Sequence, residues 1–84
     1  MEDNQQLNTP GEILAAARKK AGLSLAELAT RTKIQQDMLQ AIERDEYHKI
    51  SGDLYVKSFM GSFAREVGIE PEVVVNMYRD FSGE

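Results

Sequence analysis

The side chains that could carry out a reaction are few and far apart. His48 is the sole histidine, and it follows an adjacent carboxylate pair, Asp45 and Glu46. A general base or a metal ion needs further groups converging on one point. The chain offers no cysteine as nucleophile and no second imidazole. Adjacent carboxylates at a helix end diverge, so Asp45 and Glu46 read as solvated. Gly11 and Gly22 lack the lysine-serine or lysine-threonine ending of a phosphate-cradling loop and read as helix-boundary residues. No catalysis, metal or cofactor is expected. The spacing that stands out is a ladder of rings in "DLYVKSFMGSFAREV", residues 53–67. Tyr55, Phe59 and Phe63 recur at four-residue intervals, and Val67 continues them. That interval stacks side chains along one side of a helix, and the chemistry such a stack performs is recognition.

A chain of 84 residues allows one domain with a small core. Its 42% apolar and 29% charged residues place it among ordinary soluble globular chains. The longest apolar run, Ile13 to Ala17, is far short of the ~20 residues that span a membrane. Met1 leads into Glu2, Asp3 and Asn4 instead of a basic start and an apolar run, so no secretory leader is expected. The lack of cysteine fits a reducing compartment.

Helix signals recur from end to end. Thr9-Pro10-Gly11-Glu12 is a capping box with proline at the first helical position, followed by inward Ile13, Leu14 and Ala17 and closed by Gly22. Ser24-Leu25-Ala26-Glu27 opens a second, short helix with Leu25, Leu28 and Ala29 inward. The period breaks from Arg31 to Gln35 and resumes from Gln36 to about Arg44, with Leu39 and Ile42 inward. Asp45 to Gly52 reads as a loop carrying Tyr47, His48 and Ile50. The ring-bearing segment forms the fourth helix and stops at Gly68, a left-handed C-cap. Pro71 opens a fifth, in which Val74, Met77, Tyr78 and Phe81 share one face. Nothing alternates like a strand. The expectation is an all-α domain of five helices over residues 9–82, with residues 1–8 a disordered tail.

A short helix, a tight break and another helix is the helix-turn-helix arrangement. Ala29 is small where the two helices cross, Ile34 plugs the turn, and Leu39 and Ile42 anchor the second helix. The stretch "LAELATRTKIQQDMLQAIERDE" resembles the Cro/C1-type helix-turn-helix family, with two departures. Lys33 stands where the turn usually has glycine, and Gln35 where a serine or threonine N-cap is common. The resemblance makes DNA one class of partner, with Lys33 on a phosphate and Gln35 and Gln36 on adenine edges. Charge argues against it. From Gln35 to Tyr47, Asp37, Glu43, Asp45 and Glu46 face only Arg44, a net −3, in a chain of net −4. DNA affinity comes largely from neutralised phosphates. The one basic cluster, Arg18-Lys19-Lys20, reads as a solvated face of the first helix. Binding to random duplex is expected to be weaker than the ~10⁻⁴ to 10⁻⁶ M typical of non-specific binders.

The continuation, "IERDEYHKISGDLYVKSFMGSFAREVGIEP", resembles the RodZ family of bacterial cell-shape proteins. Tyr47 after the acidic pair, Ile50 before Gly52, then Tyr55, Lys57, Phe59, Phe63-Ala64 and Gly68-Ile69 before Pro71 carry the match. Ser51, Ser58 and Gly61 depart from it, at positions where proline, glycine and a basic residue are common. The resemblance implies the cytoplasmic domain of a membrane-anchored protein, at the inner membrane. It also implies a partner, MreB, the bacterial actin homologue, and a basic linker and membrane span beyond Glu84.

Helix geometry shows where such a partner would dock. At ~100° per residue from Tyr55, Phe59 falls near 40°, Phe63 near 80°, and Val56, Val67 and Met60 between about 100° and 140°. Ala64 lies near 180°, with Lys57, Gly61 and Arg65 on the far side. Val56, Met60, Phe63 and Val67 therefore read as core. Tyr55 and Phe59 read as an edge pair beside Ser62 and Glu66, and these four are the expected partner-binding residues. Gly61 reads as a weak point, about 1 kcal/mol less favourable than alanine in a helix interior.

Overall fold

The computed structural model describes residues 9–82, and the expected tail at 1–8 lies outside them. Five α-helices follow one another: α1 (Pro10–Lys20), α2 (Leu25–Thr32), α3 (Gln36–Glu43), α4 (Asp53–Glu66) and α5 (Pro71–Ser82). No strand occurs among the described residues. Both capping boxes form as the sequence predicts. Thr9 Oγ1 accepts from the Glu12 amide and Ser24 Oγ from the Glu27 amide, while each glutamate reaches back to its cap residue's N–H. The 45–52 segment expected as a loop contains a single 3₁₀ turn, Tyr47–Lys49. It is held there by aromatic contact, since the Tyr47 ring meets Tyr78 edge-on at 5.0 Å and Phe81 at 5.8 Å.

The core joins all five helices: Leu14, Leu28, Leu39, Ile42, Val56, Met60, Phe63, Val74 and Tyr78 are buried in one cluster. Ile34 plugs the turn, as expected, and Ile50 is buried in the same cluster. Phe81 and Met77 depart from the expected face, because Phe81 is half-exposed and Met77 only partly covered. Val74 and Tyr78 are the buried core residues of α5 among the described residues, with Val75 packed against the core in part, and the Tyr78 hydroxyl donates to Asp53 at 2.6 Å.

Gly61 requires a correction. It is buried, not on an open face, because α5 returns over that side of α4. A Cβ at Gly61 would lie 3.8 Å from the Pro71 Cβ, an ordinary contact. α4 is therefore covered from the Phe63 side round to the Gly61 side, and the covered arc turns away from Tyr55.

Gly11 is the position where close approach is strict. A Cβ there would sit 2.6 Å from the Glu43 carbonyl oxygen and closer still to that of Ile42. The start of α1 is thus pressed directly on the end of α3.

Candidate protein-binding groove

Tyr55 and Phe59 remain where the helical wheel puts them, at the margin of the core. Tyr55 is 57% exposed and Phe59 partly covered, with ring centroids 5.9 Å apart and planes inclined by 44°. The rings form one wall of an open groove of about 340 Å³. Ile34, Met38 and Phe59 supply its more buried lining, and Lys33, Gln35, Ser51 and Tyr55 its exposed rim. The partner-binding and DNA-binding residues expected from sequence thus converge in part. Tyr55 and Phe59 share the groove with Lys33 and Gln35, while Gln36 is exposed at the first turn of α3. Ser62 and Glu66 do not line it. They lie further along α4, where Glu66 pairs with Arg31 of α2 at 3.7 Å across a solvated surface.

Met38 and Ser51 were not singled out by the sequence. Met38 could have been found, since it stands four residues after Ile34 and so continues the turn's apolar plug into α3. Ser51 carries no such signal, because chain reversal before α4 brings it in.

The turn itself keeps its geometry without glycine. Lys33 adopts φ 63°, ψ 25°, and its amide donates to the Ala29 carbonyl at 2.9 Å to close α2. A left-handed conformation costs an L-residue with a side chain about 1 kcal/mol, so the departure from glycine is a local strain. Gln35 occupies the N-cap of α3 and makes no side-chain cap bond.

The electrostatics differ from the count along the sequence. Arg18 is not part of a solvated basic cluster. Its Nε donates to Glu43 Oε2 at 2.5 Å, its Nη2 to Glu43 Oε1 at 3.2 Å, and its Nη1 to the Leu23 carbonyl at 2.8 Å. That hydrogen-bonded pairing raises the guanidinium pKa above its ordinary value. Asp45 is likewise engaged, accepting from Thr9 Oγ1 at 2.6 Å, from the Gly11 amide at 2.9 Å and from the Tyr47 hydroxyl. Burial first, and the Asp45 hydrogen bond second, push the Tyr47 hydroxyl well above its usual range. Glu46 pairs with Lys49 at 3.0 Å, and that contact holds its carboxyl below the usual range. Three of the four acids counted against DNA are therefore engaged within the domain, Glu43 and Glu46 by cations and Asp45 by neutral donors, and Asp37 is the exposed one.

No cluster of His, Asp and Glu able to hold a metal occurs among the described residues. No helix there is long and apolar enough to cross a membrane.

A family model for the helix-turn-helix domain matches residues 13–74, most of the chain. The chain belongs to that helix-turn-helix family. Within the family it is 40% identical, over 83% of its length, to the cytoskeleton protein RodZ of Streptococcus pneumoniae, covering 25% of that protein. It is 38% identical, over 60% of its length, to the membrane protein YmfM of Bacillus subtilis, covering 17% of it. This helix-turn-helix domain thus spans a quarter or less of the curated relatives it matches. A solved structure of YmfM from Staphylococcus aureus, described as a candidate DNA-binding membrane protein, superposes with a TM-score of 0.80. That match has 35% identity and covers 86% of this chain and 88% of the other.

Proposed function

We propose that this helix-turn-helix domain is a non-enzymatic interaction module of a membrane-anchored bacterial cell-shape protein, placed on the cytoplasmic face of the inner membrane. It binds the actin-like MreB filament through α4. The observation that carries the reading is the ring pair of exposed Tyr55 and partly covered Phe59 beside an apolar groove that the domain's own core leaves open. Paired rings that are half-desolvated already, with polar residues around them, suit a binding hot spot. The similarity to RodZ supports the cytoskeletal setting, and the similarity to the membrane protein YmfM supports the anchorage.

Co-sedimentation with MreB filaments tests the reading. Tyr55→Ala and Phe59→Ala should each weaken binding by 2 kcal/mol or more, roughly 30-fold. Binding equal to wild type in both variants would sink the proposal.

A second reading, DNA recognition through α3, gains from one observation. With Glu43, Asp45 and Glu46 engaged internally, the outer face of α3 presents Gln36, Gln40 and Arg44 against Asp37 alone. Fluorescence anisotropy with random duplex at physiological salt separates the two, because the filament reading requires no micromolar DNA binding with a steep salt slope.

A further inference from the structure

We infer that Lys33 is the electrostatic anchor of the groove, and that the partner segment it receives presents an apolar side chain next to a carboxylate. The inference rests on the filament-binding reading and specifies the chemistry of the surface that α4 meets. Among the described residues, Lys33 is the only charged one lining the groove, and it makes no ion pair. Its neighbours on the rim, Gln35, Ser51 and Tyr55, are neutral.

The backbone makes the position informative. Lys33 stands at φ 63° in a turn that glycine would satisfy without strain. The other non-glycine residue in that region, Asp45 at φ 57°, has three hydrogen bonds to compensate. Lys33 has none from its side chain. A strained residue whose side chain has no partner among the described residues points to an external one. In a chain of net charge −4, a cation without an ion pair among the described residues, beside an apolar floor of Ile34, Met38 and Phe59, complements an acidic group attached to an apolar anchor. A phosphate backbone would complement the charge but not that floor.

Lys33→Gln removes the charge and keeps the strain, whereas Lys33→Gly removes both. Association with tethered MreB filaments is followed in ~0.05 M and ~0.5 M salt, which brackets strong and weak screening. Both variants should bind about 3- to 5-fold more weakly at low salt, as expected for one partly solvated pair. The loss should fall on the association rate and vanish at high salt. Lys33→Gly should melt at a higher temperature than wild type. Equal low-salt affinities for wild type and Lys33→Gln would overturn the inference, as would a Lys33→Gly variant that melts lower. Reduced binding of Lys33→Gln to a random DNA duplex, with filament binding unchanged, would assign the groove to nucleic acid instead. Tyr55→Ala, run alongside, keeps the two failures apart. If it loses binding while the Lys33 variants do not, only the anchor is wrong; if it binds normally, the filament reading has failed first.

Discussion

The two ends of α3 are built on opposite terms. At its C-terminal end, Glu43 grips Arg18, Asp45 collects donors from Thr9, Gly11 and Tyr47, and the Gly11 backbone lies against the last carbonyls of the helix. At its N-terminal end, Gln35 gives no cap bond, Lys33 is strained and has no ion pair among the described residues, and the exposed Tyr55 ring stands with half-buried Phe59 beside the turn. A helix of eight residues cannot hold itself in water. Fastening one end to α1 supplies the stability that leaves the other end available. At α3 the polar fastenings gather at the end held by α1, and the unsatisfied surface at the proposed binding groove.

Substitutions that separate stability from binding can break that contrast. The largest loss of stability is expected at the fastened end. Gly11→Ala drives a methyl group into backbone that no rotamer can move, at a cost of about 3 kcal/mol, near the upper range for overpacking. A thermal melt checks it, and a change near zero would show that α1 is not pressed on α3. Glu43→Ala should cost about 2 kcal/mol, because Arg18 keeps only the Leu23 carbonyl in a mostly covered site. Chemical denaturation should show that loss while filament binding by the folded fraction stays at the wild-type level. Tyr55→Ala reverses the pattern, with no more than about 1 kcal/mol lost in stability. If Tyr55→Ala instead unfolds the domain as Phe63→Ala should, at ~3–5 kcal/mol, the open end is core and the contrast collapses.

The smallest effect comes from neither end. Glu27 in the second capping box has its pKa lowered, first by the Ser24 backbone N–H and then by its hydroxyl. A depressed carboxylate stabilises the fold above the unfolded-state value and loses that contribution as pH falls through the folded value. Melting temperatures measured between pH 5 and pH 3 should therefore fall less in Glu27→Gln than in wild type. An identical fall in both would remove Glu27 from the acid response.

Much of this fold can be read in the chain because its helix signals are local. Thr9, Ser24, Gly22, Gly68 and Pro71 act through bonds to near neighbours, and the structure keeps each at its boundary. The exposure of Tyr55 follows from a helical wheel for the same reason. What the wheel misses is what arrives from elsewhere in the sequence. It assigns Gly61 to solvent because it sees one helix, whereas α5 covers that side. It counts Glu43 and Asp45 as surface charge because their partners stand 25 and 34 residues away. Ser51 was equally hidden, since it meets the rings only after the chain turns back before α4.

The bond from the Gly11 amide to Asp45 also bears on the order of events during folding. It closes a span of 34 residues, and bringing the ends of so long a flexible segment together costs about 3 kcal/mol in chain entropy before any constant term. Once α1, α2 and α3 have packed, their rigid geometry has already met that cost. The clasp is then a late, low-barrier step that slows unfolding more than it speeds folding. Amide exchange at Gly11 is accordingly expected to be faster than exchange at the buried centre of α4.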